Sequence, residues 1–146
     1  MLAFNKARTK FYPYNEVYLE APNKAINLPE GSPTKHQYVR LDSYVPNKEI
    51  VSRKYTQLSE VSEETAIRYL KELSDKYAPG TKIADVPSNI SGANAGIFKA
   101  NNGKVLDGQM ILEVPVQGKA VPKRVIDYAS LKGIKIRDIN NHIYNK

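Results

Sequence analysis

Four residues, Lys54, Thr56, Glu113 and His142, are of the types that could cleave an RNA phosphodiester without a metal. That reaction needs a base for the 2′-hydroxyl, an acid for the departing oxygen, and cations around the phosphorane. Glu113 and His142 suit the acid–base roles, Lys54 supplies charge, and Thr56 with Gln57 is suited to position a phosphate. Arg40, Arg53, Tyr55, Gln117, Arg137 and Tyr144 are the expected substrate contacts. The densest run is EIVSRKYTQL (49–58), a strand-like stretch holding two cations, a phenol and a hydroxyl side by side. Alternation sends Arg53 and Lys54 to opposite faces of a regular strand, so Lys54 and Thr56, which share a face, are the pair assigned to chemistry. The plain alternative is an exposed strand charged for solubility, with Glu113 in a cross-strand pair and His142 an ordinary hairpin residue.

Other chemistries lack their signatures. There is no cysteine, hence no disulfide and no thiolate ligand or nucleophile. Neither GxxxxGK[ST] nor a strand-linked GxGxxG is present, and GxSxG is missing. Two histidines, His36 and His142, cannot build a metal site without carboxylate help. Asp85 or Asp107 with Glu113 and Lys119 loosely imitates the acidic pair and lysine of metal-dependent nucleases, but the Glu-to-Lys spacing is wrong. No cofactor is expected.

The elements that must position these groups follow from pattern. Residues 1–36 are turn-rich (FYPYN, APN, LPEGSP) and read as an irregular N-terminal tether, with Phe11, Tyr12, Tyr14 and Tyr18 docking on the body. Residues 37–146 read as the folded domain. QYVRLDSY and EIVSRKYTQL alternate around a Pro46-Asn47 turn, which predicts a hairpin pairing Tyr44 with Glu49 and Arg40 with Arg53. Ser62 caps a helix whose apolar residues recur from Ala66 to Tyr77, and Pro79-Gly80 ends it. The Gly/Asn/Ser-rich stretch 87–108 reads as a mobile loop anchored by Ile97-Phe98. QMILEVPVQ (109–117) alternates as a strand, Pro122 opens a second helix, and IKIRDI-NN-HIY predicts a hairpin that places Arg137, His142 and Tyr144 on one face. The order predicts a single α+β domain with two helices and a mostly antiparallel sheet.

The formal charge is +7. Residues 1–60 contribute +3, residues 61–80 contribute −1 and residues 81–146 contribute +5, so the excess lies outside the amphipathic helix, on strands and loops. Such a surface suits a polyanion or an acidic partner. No run is long and apolar enough for a membrane span.

QYVRLDSY…EIVSRKYTQL, KYAPGT, LDGQMILEVPVQ and IKIRDINNHIY resemble the C-terminal effector domains of bacterial polymorphic toxins, including those of contact-dependent growth inhibition, over about residues 37–146. The resemblance implies a nuclease, commonly a tRNase of the barnase–EndoU–colicin–RelE fold group. It also implies a cognate immunity protein, acidic in keeping with the basic surface. Delivery would be from a larger secreted carrier into the cytoplasm of a target bacterium. SRKYTQ, Glu113 and Gln117 carry the match as sequence words, while a hairpin before the first helix departs from the group's order. Two other classes stay open. One is an ADP-ribosyltransferase-like effector built on Glu113, Gln117 and Arg40; the other is a non-enzymatic RNA- or protein-binding module.

Overall fold

A computed structural model describes residues 2–20, 38–90, 92–100 and 104–145. The chain forms α1 (Leu2–Thr9), β1 (Tyr14–Glu20), β2 (Tyr38–Val45), β3 (Lys48–Arg53) and α2 (Glu63–Lys76). There follow the short helices α3 (Pro87–Ile90) and α4 (Ile97–Ala100), then β4 (Gly108–Val114), α5 (Lys123–Leu131) and β5 (Ile134–Asp138). One five-stranded sheet, in the order β1-β2-β3-β4-β5, organises the α+β domain.

The sheet is mixed. β1–β2 and β2–β3 are antiparallel, but β4 runs parallel to both β3 and β5. The helices α2 and α5 are the reason: each carries the chain from the end where one strand finishes back to the end where that strand began, so the next strand runs parallel. Both lie on one face of the sheet. Ala66, Leu70 and Leu73 of α2, with Val125 and Ala129 of α5, join Val17, Leu19, Leu41, Ile50, Leu112, Val114, Ile134 and Ile136 in the main core. Ser62 caps α2 by accepting from the Thr65 amide at 3.1 Å, with Glu63 and Glu64 in the first turn as the helix dipole favours.

Residues 2–20 are part of the body, contrary to the tether expected from their turns. Helix α1 lies on the second sheet face, and β1 is the edge strand with Val17 and Leu19 fully buried. Residues 21–37, with the rest of the expected tether and His36, lie outside the described residues. The β2–β3 register is one residue off the expected one: Tyr44 pairs with Ile50 and Val45 with Glu49 around Asn47 at φ 63°. Alternation also breaks within β2, since Val39, Leu41 and Tyr44 all reach the main core. The break lies beside Glu16 of β1, whose φ is 51°, and Asp42 Oδ2 takes the Arg53 amide at 2.7 Å where a ladder bond would otherwise form. Within the stretch 87–108, expected as a mobile loop, the described residues include α3, a 3₁₀ turn (Gly92–Asn94) and α4. There Ile97 reaches the core, and buried Asn89 bridges the Tyr18 and Ala84 backbone.

Candidate active site

β3, β4 and β5 place Arg53, Glu113 and Arg137 in one lateral row, because the parallel register pairs Arg53 with Glu113 and Glu113 with Arg137. Alternation sends all three to the second face, the opposite one from Leu112 and Ile136. The Glu113 side chain is fully buried there. Arg53 Nε donates to Glu113 Oε1 at 2.7 Å, and its guanidinium also donates to Ser43 Oγ and Asn5 Oδ1. Arg137 forms a fork on Glu49 at 2.7 and 3.0 Å and comes within 4.0 Å of Glu113.

Two further residues close the cluster from the N-terminal segment. Arg8 of α1 donates to both Glu113 oxygens at 3.1 and 3.3 Å. The Tyr12 hydroxyl donates to Glu113 Oε2 and accepts from Arg137 at 2.9 Å. Tyr12 sits with Val51 and Ile111 in a small second core, which holds its phenol over the row. Burial by itself would push the Glu113 carboxyl up; hydrogen bonds from Arg8 and Tyr12 and the Arg53 charge outweigh it and hold the carboxyl below its usual range. Burial and the Glu113 charge push the Tyr12 phenol up, so it stays protonated. Among the described residues, the one buried side-chain nitrogen or oxygen without a hydrogen-bond partner is Arg137 Nε.

No protein family, curated protein or solved structure matches this chain. The site is therefore read from its own geometry.

Of the residues singled out in the sequence, Glu113, Arg53 and Arg137 come together, and the others do not join them. Lys54 diverges from Arg53 toward α2, 3.5 Å from Glu72 and over the Tyr69 ring. Thr56 and Gln117 join the loops after β3 and β4. The Gln117 amide bonds to the Thr56 and Pro115 carbonyls and to the Leu58 amide, while Gln57 reaches back to Val116 and Gly118. The Gln117 side chain is thus occupied by backbone and shares no partner with Glu113. Tyr144 donates to Asp138 at 2.7 Å and accepts from the Gln117 amide. His142 is exposed, its ring edge-on to Tyr144 at 4.7 Å. The expected common face of Arg137, His142 and Tyr144 fails because Arg137 bridges to Ile143 rather than Tyr144, leaving Tyr144 against the main core. Arg40 is an exposed partner of Glu16, and Tyr55 is exposed against Phe4. Sequence reasoning missed Arg8, Tyr12 and Glu49 as site residues. The available signal was three cations, Lys6, Arg8 and Lys10, with no acid anywhere in residues 2–15, beside the FYPY aromatics.

Proposed function

We propose that this protein is an antibacterial effector domain that cleaves RNA, tRNA foremost, without a metal, and that a cognate acidic immunity protein neutralises it. The observation that carries the chemistry is the row Arg53–Glu113–Arg137 with Arg8 and Tyr12 closing over it. A carboxylate, a protonated phenol and three guanidiniums are the base, the acid and the charge stabilisers that in-line transfer to a 2′-oxygen needs. The toxin context comes from the resemblance described above.

In the resting arrangement Arg8 and Tyr12 cover Glu113. The Arg8 and Arg137 side chains keep 14% and 12% of their surface exposed against 1% for Arg53, so they are the two guanidiniums of the cluster that an incoming phosphate can reach. A phosphate that draws Arg8 off Glu113 uncovers the carboxylate. It also removes one of the interactions that hold the carboxylate's proton affinity down. Arg53, almost wholly buried, remains and fixes the carboxylate's position. The 2′-oxygen then attacks phosphorus while its proton passes to Glu113. The 5′-oxygen leaves with the Tyr12 proton, giving a 2′,3′-cyclic phosphate and a 5′-hydroxyl. The hydrogen bond between Tyr12 and Glu113 returns the proton to the phenolate and resets the site.

The experiment is cleavage of total tRNA by the purified protein, with and without chelator, reading the product ends. Cleavage that persists with chelator and leaves cyclic phosphates is expected. Tyr12→Phe should keep the fold and lose roughly a hundred- to ten-thousand-fold in rate, and Glu113→Gln should lose at least as much. Folded variants that cleave at the wild-type rate would place the chemistry elsewhere.

A further inference from the structure

Two exposed rings, Tyr55 and Phe11, stand beside residues that hold the Glu113 cluster. Tyr55 leaves β3 two residues after Arg53 and is 60% exposed, its ring centroid 5.1 Å from that of Phe4. Phe4 and Arg8 stand four residues apart on α1 and so lie on one face of the helix. The Arg8 guanidinium covers the Phe11 ring at 4.5 Å, and Phe11 is 59% exposed with Lys10 Nζ 5.3 Å from its centroid. The result is a row, Tyr55–Phe4–Arg8–Phe11, that runs along the rim of the buried cluster. Large aromatic faces left in water beside guanidinium and ammonium groups have no role in the core. The surrounding segment carries three cations and no acid from residue 2 to residue 15.

We infer that this row is a track for single-stranded nucleic acid, with bases stacking on Tyr55 and Phe11 and the backbone following Lys6, Arg8 and Lys10. Charge selects a polyanion, and the exposed rings select unpaired bases, because a paired base offers no free face for stacking. Exposed rings beside a segment of cations without an acid are the pairing of stacking platform and basic groove that holds an unpaired strand; an acidic protein docked on the same rings is an outcome that the test separates. The inference deepens the ribonuclease reading and rests on it for one point: Arg8 belongs both to the track and to the cover of Glu113, so a strand on the track would bring a phosphate to the residue that must move. The substrate class is then an unpaired stretch, such as a loop, and not a duplex.

The test is fluorescence-anisotropy titration of the whole protein with a labelled 2′-O-methyl 12-mer of mixed sequence, which cannot be cleaved, against the same strand annealed to its complement. The single strand should bind the more tightly. Phe11→Ala and Tyr55→Ala, both at exposed positions, should each weaken it by roughly 5- to 150-fold, while Tyr55→Phe, which keeps a ring, should bind as the wild type does. Equal affinity for duplex and single strand, or a Phe11→Ala/Tyr55→Ala double variant that binds unchanged, overturns the track. So does failure of the single strand to bind at low salt, or an acidic protein partner whose binding alone depends on these rings. The two readings fail separately. A strand that binds through the rings with no RNA cleaved sinks the ribonuclease and keeps the track; cleavage that ignores the rings does the reverse.

Discussion

Glu113 stands under two demands that oppose each other. As a fully buried carboxylate it must be neutralised, and Arg53, Arg8 and Tyr12 do this. As a base it must be reached, and the same groups stand in the way. Arg53 and Arg8 divide the work: the inner guanidinium is structural, whereas the outer one is only a partial seal. Arg53→Ala leaves a buried charge short of its nearest charged partner and should cost about 3–5 kcal/mol in denaturant unfolding. Replacing the pair together, as Arg53→Met with Glu113→Leu, should cost less than Arg53→Ala alone. The carboxyl also sets a pH dependence. Its pKa in the folded protein lies below the ordinary 4.5, so its contribution is complete above that value and is lost as pH falls through 4.5 toward the folded value. Asp138 acts with the same sign below 3.8, burial opposing but hydrogen bonds from Tyr144 and the turn amides prevailing. Asp42 acts oppositely, because burial raises its carboxyl above 3.8 and protonation there relieves a cost. Unfolding free energy should fall as pH drops below about 4.5, and Glu113→Gln should flatten that fall. An identical acid limb in the variant would remove Glu113 from the linkage.

The elements divide cleanly into those that local pattern revealed and those that it hid. Helix α2 was legible because Ser62, the acidic first turn and the apolar spacing all act within the helix. The strands β2, β3, β4 and β5 were legible by alternation, but their partners were not. Strand direction follows from where α2 and α5 return the chain, which the alternation of a single strand does not record. The β2–β3 register slipped because Asn47 at positive φ lengthens the turn to three residues, and Asp42 takes over a ladder position. Helix α1 and β1 were hidden by FYPYN, whose turn signal is real but falls between two elements and not in a tether. Two residues of the candidate site were hidden with them, since the Arg8 and Tyr12 contacts to Glu113 span more than a hundred residues. Glu113 itself was visible as an acid on a strand, yet nothing local told it from an exposed one. Gly108 gives the element scale a sharp test. Its φ is 129°, and a Cβ there would lie 2.5 Å from the Lys48 carbonyl carbon, at the start of the parallel β3–β4 pairing. Gly108→Ala should therefore destabilise by at least about 1–3 kcal/mol, read as a lowered midpoint in urea at unchanged slope. Gly80→Ala, also at positive φ but with open space around it, should cost only the backbone strain.

At the scale of the whole molecule, the question is whether RNA answers to the +7 net charge or to where the charge sits. The sheet separates the two. Lys6 and Lys10 lie on and just after α1, and Lys135 projects from β5 to the same second face as Arg137, opposite Ile134 and Ile136; all three are exposed. Lys71 of α2, Lys123 of α5 and Lys132, the residue that caps the C-terminus of α5, are also exposed, at the helices that cover the first face. Replacing either trio with glutamine lowers the formal charge from +7 to +4, so a field that depends only on net charge would respond alike to both. Phosphate contacts respond differently. Each one released takes about 0.7 from the log–log salt slope of single-strand binding, so loss of the Lys6, Lys10 and Lys135 contacts should make the slope shallower by about 2. The Lys71, Lys123 and Lys132 trio should leave the slope within error of the wild type and weaken binding only by long-range attraction, an effect that fades as salt shortens the screening length. The measurement is the affinity of the non-cleavable 12-mer at four salt concentrations between about 50 and 200 mM for the wild type and both trios. Equal slopes for the two trios would mean that no particular face holds the strand, and both the track and the cluster behind it would lose their claim on RNA.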